Sequence, residues 1–218
     1  MKVNTDSCIF GAVVNYDHPT RILDIGTGSG LLALMMAQRF KEAIVDAIEP
    51  DAGSADQAEL NFRISPWPYR IRLHKTDVEH FTEVSQNRYD LIIANPPWFE
   101  NSLKSGDERK NKSRHMSTLT WEKLSQAVKS LLNSEGVFYI LLPSSESGKF
   151  KVAIESEGFI LIKQILIKNS GQESTYRIVS GFTLSNFPFN ITSVVIKNAQ
   201  DCYTAEFKAL LKDFYLAF

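Results

Sequence analysis

The sequence is poor in the residues that usually build metal centres and disulfide frameworks. It has two cysteines, Cys8 and Cys202, which lie far apart and form no C-x-x-C pair, and its four histidines lack metal-ligand spacing. We therefore expect reduced thiols in a cytoplasmic protein and no metal site. No apolar run reaches the roughly 18 residues of a membrane-spanning helix, and no signal peptide opens the chain, so we expect no membrane association.

A strong charge of one sign is also lacking. The chain carries 24 Lys and Arg against 25 Asp and Glu, a net charge of −1, so any binding of nucleic acid must use a local patch. Its 218 residues are 44% hydrophobic, with no repeat and no low-complexity linker, which predicts one domain over residues 1–218. Patterned sequence begins at once, and we expect that a preceding N-terminal segment is very short or missing.

Strand-like and helix-like segments alternate along the first two thirds of the chain. This alternation predicts a parallel sheet with helical crossovers. Asp51 and Thr120 are expected to cap two of the helices, and Gly136 to end the second of them. The last strands have short connectors, so at least one antiparallel neighbour is expected near the C-terminus. The predicted strands cover residues 21–26, 43–49, 70–77, 89–95, 137–143, 159–168, 176–184 and 191–197.

The stretch "DIGTGSG" (24–30) lies where the first strand turns into a helix, which is where doubly wound sheets bind nucleotide-like ligands. Gly26, Gly28 and Gly30 would let the backbone approach such a ligand closely. A dinucleotide fingerprint would need glycine at position 31, where this chain has leucine. Asp24 would repel a pyrophosphate but suits a cationic amine and a sulfonium. The loop therefore disfavours an NAD-dependent oxidoreductase.

Two further acids follow the next two predicted strands. Glu49 is placed to accept hydrogen bonds from two ribose hydroxyls, and Asp77 from an adenine amino group. Either acid alone is as often a helix cap or a solvated loop residue. The ordered set, each acid at the carboxyl end of a strand, favours a site for a nucleoside with a cationic tail.

The stretch "DLIIANPPWFE" (90–100) ends a buried strand in an amide, two prolines and an aromatic ring. The Asn95 side-chain carbonyl and the Pro96 carbonyl could accept both N–H hydrogens of a planar amine, while Pro96 and Pro97 hold these acceptors in place. Trp98 would stack on the base, which would have to be splayed out of any paired region. The alternative is a proline-rich strand end with a packed tryptophan.

A polar loop follows, over residues 100–117. It is rich in basic side chains that could contact RNA phosphates, although a solvated charged loop is an equal alternative. The residues concerned are Lys104, Arg109, Lys110, Lys112 and Arg114.

The segments "LDIGTGSG", "AIEP", "TD" and "NPPW" together resemble class I S-adenosylmethionine-dependent methyltransferases. The resemblance implies a Rossmann-like fold with a seven-stranded, mostly parallel sheet, an antiparallel last strand and helices on both faces. It implies S-adenosylmethionine as the cofactor, with Asp24 and the three glycines at the methionine portion, Glu49 at the ribose and Asp77 at the adenine. The tip from Asn95 to Trp98 resembles that of enzymes acting on adenine N6, cytosine N4 or a protein glutamine amide.

Three more stretches resemble the tRNA1(Val) (adenine-37-N6)-methyltransferases: "KVNTD" (2–6), "SRHMSTLTWEKL" (113–124) and "YTAEFKALLKDFYLAF" (203–218). By this resemblance Thr5 and Asp6 lie near the methionine end of the cofactor, while capping of a first helix is equally open. Asn95 is expected to contact the cofactor as well as the target amine. The resemblance implies methylation of an adenine in tRNA. A protein glutamine methyltransferase and a non-catalytic, cofactor-binding module associated with RNA are the alternatives.

Overall fold

A computed structural model describes residues 5–96 and 119–216, and these residues form one eight-stranded sheet with seven helices packed on it. The strands are β1 (Arg21–Ile25), β2 (Ile44–Ile48), β3 (Ile71–His74), β4 (Tyr89–Ala94), β5 (Leu132–Pro143), β6 (Ile160–Ser170), β7 (Arg177–Thr183) and β8 (Asn190–Lys197). The helices are α1 (Thr5–Val13), α2 (Leu31–Arg39), α3 (Ala52–Ile64), α4 (Val78–Val84), α5 (Trp121–Leu131), α6 (Ser144–Ser156) and α7 (Ala205–Leu211).

The strand order across the sheet is β3-β2-β1-β4-β5-β7-β6-β8. The first five strands are parallel, and β7 is antiparallel to both of its neighbours, β5 and β6. The predicted α/β class with a mostly parallel sheet and an antiparallel strand near the C-terminus is confirmed. The sheet has eight strands rather than seven, and its last strand, β8, is parallel to β6, so the antiparallel strand is the next to last.

Helices cover both faces of the sheet, as predicted. Neighbouring residues of a strand point to opposite faces, and in β1 Ile22 packs with α1 and α2 whereas Leu23 packs with α5. Helices α1, α2, α3 and α7 contribute to the first core, and α4, α5 and α6 to the second. This alternation holds the sheet rigidly between two apolar layers, with the strand ends at its edge.

The predicted helix caps at Asp51 and Thr120 are confirmed. The Asp51 carboxylate accepts a hydrogen bond from Ser54 N at 2.8 Å and begins α3, and the Thr120 hydroxyl accepts from Lys123 N at 3.3 Å and begins α5. The end of α5 was predicted wrongly, because the helix stops at Leu131 and Gly136 lies inside β5. Leu132 already has an extended backbone, is buried and pairs with β4, which begins the strand five residues earlier than predicted.

Within residues 5–96 and 119–216, none of the helices combines the length and the apolar character that crossing a bilayer requires. The same residues contain no group of three or more His, Cys, Asp or Glu side chains arranged to hold a metal ion.

Candidate active site

The register of the three strands β2, β1 and β4 brings the main predicted site residues together at the carboxyl ends of these strands, which form one edge of the sheet. Ile25, the last residue of β1, pairs with Ile48 of β2 on one side and with Ala94 of β4 on the other. The residues that follow these three are Gly26, Glu49 and Asn95. Three predicted parts of the site therefore lie side by side at the carboxyl ends of parallel strands. They are the glycine loop, Glu49 and the segment that begins at Asn95, which we call the amide tip.

The glycine loop has a backbone that side chains would disturb. Gly26, Gly28 and Gly30 have φ values of 71°, 59° and 88°, in the left-handed region that favours glycine. A Cβ on Gly30 would lie 2.4 Å from Cε1 of Phe62, so this glycine also makes room for α3. A Cβ on Gly26 would meet no atom of the described residues within 4 Å, so it would occupy open space over the sheet edge.

Asp24 lies directly beneath this loop and is completely buried. Its Oδ2 accepts hydrogen bonds from the Thr27 hydroxyl at 2.6 Å and from Ala33 N at 3.1 Å. Its Oδ1 is buried and has no hydrogen-bond partner among the described residues. Burial is the main cause that raises the pKa of this carboxyl to about 7, and the nearby charge of Glu49 adds to it.

A buried acid with an unpartnered acceptor oxygen, directly beneath the glycine loop, is what a cationic ligand would complete. Both features fit S-adenosylmethionine, whose amine and sulfonium are cationic. They do not fit a pyrophosphate, because the carboxylate would repel it.

Glu49 is buried, and both of its oxygens are engaged. Oε2 accepts from Gly28 N at 2.8 Å and Oε1 from Asp51 N at 2.9 Å. These two backbone donors fix the plane of the carboxylate, and each oxygen keeps a lone pair for a further donor. The geometry suits an acid that accepts from a pair of neighbouring hydroxyls.

Asp77 lies three residues beyond the end of β3, which is shorter than the predicted 70–77. Its Oδ1 accepts from His80 N at 2.8 Å and caps α4, and its side chain is exposed. Asp77 therefore acts as a helix cap, which was one of the two alternatives for this residue. The predicted contact of Asp77 with an adenine amino group stays a prediction.

The amide tip begins directly after β4. Asn95 is partly buried and Pro96 is buried. Nδ2 of Asn95 donates a hydrogen bond to Oγ of Ser7 at 2.8 Å, a contact between residues 88 positions apart. Pro97 and Trp98, which were predicted to stiffen the tip and to stack on the base, lie outside the described residues, as do Lys104, Arg109, Lys110, Lys112 and Arg114.

The first turn of α1 lies at the same strand ends, where Ser7 contacts Asn95. The helix begins at Thr5, and Asp6 Oδ1 accepts from the Tyr176 hydroxyl at 2.9 Å while Oδ2 lies 3.3 Å from Nε of Arg177. Burial, followed by the bond to Asp6, raises the pKa of the Tyr176 hydroxyl. Asp6 therefore joins α1 to the start of β7, and the predicted place of Thr5 and Asp6 beside the methionine end of the cofactor stays a prediction.

The sequence did not predict the contacts that Ser7, Tyr176 and Arg177 make at this site. The bond between Asp6 and Tyr176 joins residues 170 positions apart, and no local pattern connects them. The signal available for Ser7 was its position beside Thr5 and Asp6, which the resemblance predicts to lie near the cofactor.

Comparison with known proteins agrees with this geometry. The family model described as "Methyltransferase small domain" matches residues 2–152. A tRNA1(Val) (adenine(37)-N6)-methyltransferase of Trichodesmium erythraeum is 36% identical over 220 aligned residues, covering 100% of this chain and 92% of the relative. The protein of the same name from Dyadobacter fermentans is 37% identical, with the same coverage of both chains.

Among solved structures, a predicted O-methyltransferase from Agrobacterium tumefaciens has a TM-score of 0.78 and 17% sequence identity, and the match covers 98% of each chain. At this identity the likeness concerns the fold alone, and it supports the Rossmann-like class I architecture. The full-length relatives and the family model carry the assignment: this chain belongs to the methyltransferase small-domain family and, within it, to the tRNA1(Val) (adenine-37-N6)-methyltransferase family.

Proposed function

We propose that this protein transfers the methyl group of S-adenosylmethionine to the exocyclic N6 of an adenine in tRNA, namely adenine 37 of tRNA1(Val). The observation that carries the proposal is the row formed by Gly26, Glu49 and Asn95 at one edge of the sheet. A loop suited to the methyl donor and an amide suited to a planar amine lie next to each other there. The partner would be tRNA and the location cytoplasmic.

The residues assigned to the cofactor are Asp24, Gly26, Gly28, Gly30, Glu49 and Asp77, together with Thr5, Asp6 and Asn95. Asp24 would offer its Oδ1 to the cationic portion, since that buried oxygen has no other partner among the described residues. Glu49 would accept from the ribose hydroxyls in the plane set by Gly28 N and Asp51 N. When bound, S-adenosylmethionine supplies a methyl group made electrophilic by the sulfonium.

Asn95 and Pro96 are assigned to the target amine. The nitrogen of an amine conjugated to a ring is a poor nucleophile because its lone pair is delocalised. Two carbonyl acceptors that take both N–H hydrogens would favour a pyramidal nitrogen and aim its lone pair away from the ring plane. No general base is needed at the tip, since the proton can leave to water after the transfer.

Recognition of the RNA is assigned to Trp98 and to the basic residues of the 100–117 loop. Trp98 would stack on the extruded base, an interaction worth on the order of 1–3 kcal/mol. Lys104, Arg109, Lys110, Lys112 and Arg114 would contact phosphates, so binding should weaken as salt concentration rises.

The test is an incubation of the protein with methyl-labelled cofactor and, in separate reactions, unmodified tRNA1(Val) and a release-factor protein. Digestion of the RNA should yield N6-methyladenosine, and a matched tRNA with guanine at position 37 should stay unlabelled. Label in the protein substrate alone would overturn the proposal in favour of a glutamine methyltransferase. Label in neither substrate, with cofactor binding intact, would indicate a non-catalytic module.

A further inference from the structure

The amide of Asn95 has two ends that look alike in shape but have opposite chemistry. Its oxygen accepts hydrogen bonds, whereas its nitrogen only donates them, and a half turn about the last side-chain bond exchanges the two. The proposed function requires the oxygen to face the target amine, because an NH2 group there would oppose the hydrogens of the amine. Some neighbouring group must therefore select one orientation of the amide.

Ser7 is the neighbour that contacts the amide. Its Oγ lies 2.8 Å from Nδ2 of Asn95, and the serine is only 7% exposed. The serine lies in the first turn of α1, which is fixed to β7 by the bonds of Asp6 to Tyr176 and Arg177. The hydroxyl is therefore placed by a helix that is tied to the start of β7 independently of the bond to Asn95.

We infer that Ser7 is a positioning residue of the methyl-transfer site, whose hydroxyl accepts from Nδ2 of Asn95 and so turns Oδ1 toward the target amine. This inference rests on the proposed function. In this role Ser7 acts on the target amine through Asn95 and not by direct contact. Its loss should therefore slow turnover and leave the affinity for the cofactor unchanged.

The first experiment observes the hydrogen bond without any turnover. In 15N-labelled protein the side-chain NH2 resonances of Asn95 are identified as the pair that Asn95→Asp removes. Ser7→Ala should shift this pair upfield because the acceptor is lost, and Ser7→Thr, which keeps a hydroxyl, should restore it toward the original position. Resonances that do not move in Ser7→Ala would overturn the inference.

The second experiment separates kcat from cofactor binding. We expect Ser7→Ala to lower kcat about tenfold, since a misaligned acceptor weakens transition-state positioning, with the Kd for S-adenosylmethionine within about twofold of the wild type. Ser7→Thr should recover most of kcat. The matched control is Ser125→Ala in α5, which also removes a buried hydroxyl, one bonded to Trp121 O at 2.8 Å, and should leave kcat unchanged.

The outcomes distinguish this inference from the proposed function. If the wild type labels a protein glutamine and not tRNA, the proposed function fails, and the Ser7 comparison is made on that amide, which needs the same acceptors. Equal kcat for Ser7→Ala and the wild type would overturn the positioning role on either substrate. Parallel losses of kcat and cofactor affinity would also overturn it, because they would indicate a structural role. No turnover on either substrate would overturn both.

Discussion

The two halves of the site are held together in different ways. Around the glycine loop, the hydrogen bonds of Asp24 and Glu49 join residues at most 21 positions apart. Around the amide tip, the bonds from Asn95 to Ser7 and from Tyr176 to Asp6 span 88 and 170 positions. The surroundings of Asp24 and Glu49 are thus built within two consecutive strand–helix units, whereas the contacts of Asn95 and of the first turn of α1 join parts of the chain that are far apart in sequence.

This difference predicts that substitutions in the two halves should affect different measurable properties. Changes in the glycine loop act on backbone geometry and on a buried charge, so they should alter stability and cofactor affinity. Changes at the amide tip act mainly on the groups that orient the target amine, so they should alter turnover more than cofactor affinity. Three substitutions test this separation.

The largest effect is expected for Asn95→Ala. Removing a carbonyl acceptor that is used in the transition state should lower kcat by about 10²–10³-fold, the range seen when a comparable hydrogen-bonding group is deleted. Cofactor affinity, measured by calorimetry, should stay within a few-fold of the wild type because Asn95 bonds to α1 and not to the glycine loop. A large loss of cofactor affinity would show that the two halves are one structural unit.

Gly30→Ala should damage the cofactor half through its backbone. The new Cβ would lie 2.4 Å from Phe62 Cε1, and the residue would have to keep a φ of 88°, so we expect a loss of about 2–3 kcal/mol in the free energy of unfolding. Chemical denaturation measures this loss. Gly148→Ala in α6 is the matched control, since its Cβ would meet nothing within 4 Å, and it should be neutral or slightly stabilising. Equal effects at both glycines would contradict the prediction.

The smallest effect concerns the ionisation of Asp24. Its pKa is raised from the ordinary 3.8 to about 7, so the folded state holds the proton more tightly than the unfolded state does. This contribution to stability is fully present below about pH 4 and is lost as the pH rises through about 7. The affinity for a cationic ligand depends on pH in the opposite sense. It rises with pH, because binding requires the charged carboxylate.

Affinity for S-adenosylmethionine should therefore increase about tenfold between pH 6 and pH 8. Asp24→Asn removes the titrating group, so it should flatten this dependence, weaken binding and stabilise the ligand-free protein at pH 8. Calorimetry at several pH values and thermal denaturation measure the two quantities. A variant that keeps the pH dependence of the wild type would assign the titration to the ligand or to another residue.

The sequence predicted the features that depend on neighbouring residues. The left-handed glycines follow from "GTGSG", the caps at Asp51 and Thr120 precede helical faces, and all eight strand segments appear in the sheet. The resemblance to known methyltransferases suggested seven strands, because it describes the common core and not the additional edge strand β8.

The features that the sequence predicted wrongly or missed all depend on contacts between segments that are distant in the sequence. Gly136 resembles a helix end locally, but burial of Leu132 and its pairing with Tyr89 begin β5 earlier. The role of Ser7 depends on the approach of α1 to β4, and the role of Tyr176 on the approach of α1 to β7. Periodicity and local motifs carry no information about such approaches.

The antiparallel strand β7 also sets an order of events during synthesis of the chain. Strand β6 is made before β7, yet in the described sheet its partners are β7 and β8, while the second side of β5 pairs with β7. Until Arg177–Thr183 has left the ribosome, β5 and β6 lack this partner and expose unpaired backbone groups, a state prone to aggregation. One late segment covers the free side of β5 and one side of β6, so we expect released chains that end before Arg177 to be prone to aggregation.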